Sequence, residues 1–115
     1  MIKEFDLEKR TTEFAKSVIR LCRSLPVDSV NNRLTGQIAG ASGSIGANYR
    51  EANDALGKKD FILRLKIARR EAKESQHWLE LLLEANLNKE EEIKMLIKES
   101  EELRNILSSI ILKAE

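Results

Sequence analysis

The sequence predicts an all-α protein, an up-down-up-down antiparallel four-helix bundle. Aliphatic residues recur at steps of three and four along most of the chain, the spacing that places side chains on one face of a helix. Aromatic residues make up only 4% of the chain, against 42% hydrophobic and 34% charged, a balance typical of helix bundles. Short interruptions divide the chain into four segments, so consecutive helices must fold back on each other. We therefore expect one domain, residues 1–115, with helices at roughly 6–25, 29–55, 59–85 and 89–114.

The first two predicted helices have recognisable ends. The apolar row of helix one stops before Pro26, the only proline. Asp6 precedes this row, where a carboxylate accepts hydrogen bonds from the free amides of the first turn. Asp28 or Ser29 is expected to cap helix two in the same way.

Helix two contains the least helix-like stretch, residues 36–52, with the sequence GQIAGASGSIGANYREA. Aliphatic spacing continues through it, although a glycine inside a helix costs about 1 kcal/mol relative to alanine. The alternative is a phosphate-binding loop, which is disfavoured because neither GxxxxGK[ST] nor GxGxxG occurs and no strand precedes the stretch. We therefore expect a helix that a neighbouring helix approaches closely at its glycines, which are Gly36, Gly40, Gly43 and Gly46.

The last two predicted helices follow the same rhythm. Gly57 suits a left-handed position after the end of helix two. Asn88 and Glu91 have the spacing of a capping box at the start of helix four. The apolar stripes of both helices are wider than one core requires, which favours an exposed apolar surface and hence self-association or another protein partner.

Charge is distributed unevenly along the chain, although its formal net value is only +1. Residues 58–73 contain seven basic and two acidic side chains, whereas residues 74–115 contain five and ten. This basic block can contact a phosphate backbone; the alternatives are a solvated face or a face paired with the acidic fourth helix. No interleaved aromatic residues suggest base stacking, so contacts to the backbone are expected. The candidate contact residues are Lys58, Lys59, Lys66, Arg69, Arg70 and Lys73.

The residues offer little support for catalysis or metal binding. Cys22 and His77 are each the only residue of their type, which excludes an intramolecular disulfide, a structural zinc site and the usual di-iron site. Glu74 and His77 have di-iron spacing but lack the other ligands. Glu51 and Glu71 are the best carboxylate pair, and structural ion pairs are the favoured interpretation. An enzyme would require a raised pKa at one of them within a pocket. We expect no catalytic residues, no metal and no cofactor.

Asn48 is the most informative polar residue, because it lies on the apolar row of helix two and needs hydrogen-bond partners if buried. Glu51 shares its face, three residues later. No apolar run reaches the roughly 18 residues of a membrane span. The N-terminus has no signal-peptide pattern, so a cytoplasmic protein without a membrane partner is expected.

A set of residues spread over helices two and three carries a family resemblance. It consists of Ser44-Ile45-Gly46-Ala47-Asn48, then Glu51-Ala52, Phe61, Ile67-Ala68, Glu71 and the Trp78-Leu79 region. The chain resembles, from roughly Phe5 to Leu112, the four-helix-bundle proteins first noted as open reading frames in intervening sequences of bacterial 23S ribosomal RNA genes. It departs from them at Ala52, where many members have glycine.

This resemblance implies a bundle that assembles as a ring-shaped homopentamer. Relatives that accompany diversity-generating retroelements use basic surfaces to bind nucleic acid and a reverse transcriptase, so RNA or DNA and a protein are candidate partners. No activity is established for most members. Asn48, Glu51 and Glu71 match polar positions of the family, which implies an organising role within or between protomers.

Overall fold

The computed structural model describes residues 6–115 and confirms the predicted four-helix bundle. Phe5, where the family resemblance begins, lies outside the described residues. Each predicted helix boundary lies within two residues of the observed one. The elements are α1 (Leu7–Ser24), α2 (Ser29–Asn53), α3 (Lys58–Ala85), a 3-10 turn (Leu87–Lys89) and α4 (Glu90–Ala114).

The helices begin where local chemistry stabilises a first turn. The carboxylate of Asp6 accepts a hydrogen bond from the amide of Lys9 at 3.2 Å, and that of Asp28 accepts one from Asn31 at 2.7 Å. Both predicted caps are therefore confirmed, and Asp28 rather than Ser29 caps α2.

Two predictions about helix ends were wrong. Gly57 is extended, with φ −162°, and precedes α3 instead of turning left-handed after α2. The capping box is absent because the 3-10 turn takes up Asn88, and α4 begins after Lys89 without a side-chain cap. The chain thus needs neither a left-handed glycine nor a capping box to separate its last three helices.

Each helix packs against two neighbours: α1 and α3 both contact α2 and α4. The connections 25–28 and 54–57 are too short for anything but a reversal, so consecutive helices are antiparallel. The contact between α2 and α3 is the most extensive, and the contact between α1 and α4 is the smallest. The bundle measures 45 × 27 × 18 Å. The α2–α3 pair therefore forms its main structural unit.

The core consists of one aliphatic row from each helix, as the spacing predicts. Its largest completely buried side chains include Val18, Leu21, Ile38, Ile45, Leu65, Leu79, Leu82, Ile93, Leu103 and Leu107. Alanines at positions 68 and 72 of α3 are also completely buried. Small side chains at these positions bring α3 close to its neighbours, as expected for ridge-into-groove packing.

The glycine-rich stretch is helical, as predicted, but its glycines have two different environments. At Gly46, an added Cβ would lie 2.8 Å from Oγ1 and 3.3 Å from Cβ of Thr11, so α1 and α2 approach closely here. At Gly36, Gly40 and Gly43, an added Cβ would meet nothing within 4 Å. The expectation of close packing within the chain was therefore wrong for these three, because they face outward.

A buried pair of amide side chains joins the start of α2 to the end of α3, at one end of the bundle. Asn31 and Asn86 each donate from Nδ2 to the other's Oδ1, at 3.0 and 2.9 Å. Asn31 also donates to the Pro26 carbonyl and Asn86 to the Leu82 carbonyl. Both side chains are less than 5% exposed. The sequence alone does not reveal this pair, because Asn31 looks like a solvated first-turn residue and Asn86 like part of a loop.

Candidate functional site

An open groove of about 680 Å³ runs along the outer side of α3 beside α2. One residue of α2, Gln37, lines its wall, and the other lining residues lie on α3. They are Lys66, Arg69, Arg70, Lys73, Glu74, His77 and Trp78. Four of the six predicted basic contact residues therefore share one groove, and we call these four the basic ridge: Lys66, Arg69, Arg70 and Lys73.

Helical periodicity explains why the ridge is continuous. Its members follow steps of three and four, which return to the same face of a helix. The buried row of α3, from Leu65 to Leu82, lies on the opposite face, so the cations point away from the core. Lys59, two turns before Lys66, continues the ridge face, whereas Lys58 starts the helix; both are exposed and outside the groove.

The ridge is only partly neutralised. Lys66 Nζ lies 3.3 Å from a carboxylate oxygen of Glu115, and Arg70 lies 3.7 Å from Glu71. Arg69 donates to the hydroxyl of Ser108 on α4 at 3.4 Å, a neutral partner. Lys73 forms no ion pair with any residue in 6–115. Exposed pairs of this kind contribute little and leave the local field positive.

Most acidic side chains of α4 do not pair with the basic ridge. Arg10 of α1 donates to Glu99 at 2.8 and 2.9 Å and to Glu102 at 2.7 Å. Hydrogen bonding to Glu99 is the main reason that the pKa of Arg10 lies above its ordinary value. Glu90 pairs with Lys94 on its own helix. Of the described acidic residues in α4 and at its C-cap, only the cap residue Glu115 pairs with the ridge, so α4 does not neutralise the basic face as the alternative hypothesis supposed.

Two aromatic side chains lie at one end of the groove, which sequence analysis overlooked. The rings of His77 and Trp78 meet edge to face, with centroids 4.9 Å apart and planes at 61°. His77 is exposed, and Trp78 is partly buried against the core. The signal was present in the sequence, because His77 lies four residues after Lys73 and therefore on the same helical face.

The three polar residues assigned an organising role have different environments. Asn48 is half-buried and donates to the Ser44 carbonyl at 2.9 Å, while its Oδ1 is 3.5 Å from an Arg64 guanidinium nitrogen on α3. Glu51 is exposed. Glu71 is half-buried, and burial, with a smaller contribution from Glu74, raises its pKa. The raised pKa of Glu71 meets one condition set for a carboxylate enzyme, but the charges that act on Glu71 are those of Glu74 and Arg70, and neither Glu51 nor Glu71 lines the α3 groove.

The exposed glycines form a second surface, which we call the outer face of α2: Gly36, Gly40, Gly43 and Ala47. Near one end of α2, Val30 and Leu81 are 55% and 40% exposed and line an apolar groove with Leu34, rimmed by Asp28 and Glu84. Val30 lies four residues before Leu34 and eight before Ile38, so it continues the apolar row of α2, yet the core does not cover it.

Residues 6–115 contain neither a metal-binding cluster nor a membrane-spanning helix. No cluster of three His, Cys, Asp or Glu side chains in this part of the chain is arranged to hold a metal ion. Cys22 is half-buried, and burial raises the pKa of its thiol. No helix between these limits has the length and apolar character that crossing a membrane requires.

The sequence matches the family model of the 23S rRNA-intervening sequence protein over residues 3–109. The chain belongs to this family. A protein of unknown function from the S23 ribosomal protein family of Bacteroides thetaiotaomicron, known from its crystal structure, is similar to it. The two are 36% identical with a TM-score of 0.79, and the match covers 90% of this chain and 96% of the other. A comparison with curated proteins gave no match.

Proposed function

We propose that this family member is a non-enzymatic, cytoplasmic, homo-oligomeric bundle that binds RNA or DNA through the basic ridge of α3. One observation carries the proposal: four cations line a single groove, while the acidic residues of α4 pair mainly with other groups. Phosphate is the ligand that such a row of Lys and Arg side chains suits best.

Backbone binding of this kind is driven by release of counterions from the nucleic acid. Neutralising about four phosphates of a single strand gives a slope of roughly −3 in a plot of log affinity against log salt concentration. One groove is a weak site, whereas several copies in one assembly bind a single strand cooperatively through a raised effective concentration. Self-association would therefore multiply the effect of the ridge.

Three features support self-association, with a homopentamer as the expected size. The family resemblance implies a ring. The outer face of α2 lacks side chains larger than a methyl group over three turns, so another helix can approach its backbone there. The exposed Val30 and Leu81 supply apolar area nearby.

A charge-neutralised variant tests nucleic-acid binding. The variant Lys66→Gln/Arg69→Gln/Arg70→Gln/Lys73→Gln should lose salt-sensitive binding of a labelled oligonucleotide in fluorescence anisotropy. A matched control, Lys9→Gln/Lys16→Gln/Arg20→Gln/Arg23→Gln, removes the same charge from exposed positions of α1 and should retain binding. Wild-type protein without salt-sensitive binding would contradict the proposal, as would equal loss in both variants.

Sedimentation equilibrium at micromolar concentration tests assembly. The expected species has five times the mass of the 13.1 kDa chain. A single 13.1 kDa species would contradict self-association and remove the multivalent contribution to binding.

The second candidate function is a protein-interaction scaffold without nucleic-acid binding, in which the ridge only solubilises the bundle. The apolar groove of Val30, Leu34 and Leu81 favours it, because its acidic rim suits an apolar partner helix that carries basic residues. Under this hypothesis the wild type and both charge variants should fail to bind oligonucleotides, while Leu81→Asp should weaken capture of the partner.

A further inference from the structure

The α3 groove has two chemically different halves. One half carries the four cations of the basic ridge. The other half carries Gln37, Glu74, His77 and Trp78, a set that is planar, hydrogen-bonding and not strongly basic. Binding of a phosphate backbone accounts for the first half of the groove only.

The second half has the chemistry of a nucleobase site. Aromatic rings such as those of His77 and Trp78 offer surfaces on which an unpaired base stacks. The amide of Gln37 donates and accepts hydrogen bonds, and the carboxylate of Glu74 accepts them from exocyclic amines. Along α3 the two halves adjoin, with Lys73 one turn before His77, so one nucleotide can place its phosphate and base in adjacent halves.

Single strands and duplexes differ in which of their groups can reach this site. Lys66 and His77 are eleven residues apart, about 16 Å along the helix at 1.5 Å per residue. The faces of the bases in a duplex are covered by stacking, so a duplex can present phosphates and base edges to this groove but cannot lay a base on the rings. An unpaired strand can instead turn a base outward onto the rings.

We propose that the α3 groove binds single-stranded nucleic acid, with phosphates on the basic ridge and a base stacked at His77 and Trp78. This inference rests on the proposed function and goes beyond it. The sequence predicts contacts to the phosphate backbone only, whereas the inference adds recognition of unpaired bases at the same surface. Selectivity for single strands comes from the rings, and affinity common to all nucleic acids comes from the cations.

Trp78 makes the test specific, because it is the only tryptophan in the chain. Three probes separate the contributions: a single strand of about ten nucleotides, an abasic strand of the same length, and a duplex closed at both ends by non-nucleotide linkers, which has no unpaired base. The base-bearing single strand should quench Trp78 fluorescence saturably, whereas the abasic strand and the duplex should bind in a salt-sensitive manner without quenching it.

Substitutions at His77 provide the second measurement, because its side chain is exposed and can change without disturbing the core. His77→Ala should weaken binding of the base-bearing strand roughly tenfold, the effect typical of one lost stacking contact. Its affinity for the abasic strand should not change. His77→Phe keeps a flat ring and should restore the affinity, which a role limited to fold stability would not predict.

The outcomes distinguish the two proposals. Equal affinity for base-bearing and abasic strands, or binding without quenching, overturns base stacking and leaves the proposed function intact. Absence of salt-sensitive binding for all three probes overturns both. If His77→Ala bound the base-bearing strand with wild-type affinity, stacking of a base on His77 would be overturned.

Discussion

Glycine occurs on both sides of α2, but its surroundings on the two sides are opposite. On the inner side, Gly46 lies against Thr11, with no room for a methyl group. On the outer face, Gly36, Gly40 and Gly43 border open space, although they continue the same glycine-rich stretch. The inner glycine is required by the fold of one chain, whereas the outer glycines weaken the helix without any compensating contact inside it.

This difference shows that small residues at helical spacing indicate a close contact only when another element lies on that face. The rotation of α2 about its axis decides which glycines meet α1, and the aliphatic row fixes that rotation. If the outer glycines have a structural purpose, it must lie between chains. Substitutions at three positions of α2 test the contrast between its buried and open sides, and a fourth, in α3, tests a half-buried carboxylate.

The largest effect is expected on the inner side, at Asn31→Ala. The change leaves the Asn86 amide without its reciprocal partner and opens a small cavity, so unfolding should require about 3 kcal/mol less free energy. Chemical denaturation of the single and double Asn31→Ala/Asn86→Ala variants measures it. The double variant should lose less than the sum of the single variants; strict additivity would mean that the amides do not act as a pair.

Gly46→Ala should destabilise the protein by about 1–2 kcal/mol, because overpacking against Thr11 exceeds the gain in helix propensity. Thr11→Ala removes the nearest atom, the Oγ1 that donates to the Leu7 carbonyl at 2.6 Å. The double variant Thr11→Ala/Gly46→Ala should therefore recover part of the loss in the same unfolding assay. A Gly46→Ala protein as stable as wild type would show that α1 can move aside freely.

Gly40→Ala should have the opposite sign, because nothing in the chain obstructs the added methyl group. An isolated bundle should gain up to about 1 kcal/mol of stability from the better helix former. Gly40→Leu should leave the isolated bundle folded but reduce its association in sedimentation, if the outer face packs between chains. Full assembly of Gly40→Leu would place the interface elsewhere.

The smallest expected effect is the pH-dependent contribution of the Glu71 carboxylate to stability. Burial, with repulsion from Glu74, raises the pKa of Glu71, so the folded state holds this proton more tightly than the unfolded chain. Stability from this group is therefore greatest below its ordinary pKa of 4.5 and declines as pH rises through the higher folded value. Glu71→Gln should raise the melting temperature slightly at neutral pH, with little difference in acid.

Glu51→Gln is the matched control for Glu71→Gln. Its carboxylate is exposed on α2, so the melting temperature at neutral pH should be unchanged. Equal stabilisation by the two substitutions would indicate a general charge effect instead of burial at Glu71.

Much of the fold could be predicted because its determinants are local and periodic. The aliphatic rows fixed four helices, and the Asp6 and Asp28 carboxylates marked two of their starts. The ridge from Lys66 to Lys73 was equally predictable, since a helix places steps of three and four on one face whatever surrounds it. The sequence also carried enough family signal for the bundle to be recognised.

The sequence by itself determined which face of each helix is apolar and which is charged. Only the tertiary structure decided which faces meet. It paired Asn31 with Asn86 across 55 residues, directed Glu99 and Glu102 to Arg10 instead of the ridge, and left three of the glycines in α2 facing outward. Such contacts depend on the rotation and register of whole helices, which many weak packing interactions set together and which no short stretch of sequence specifies.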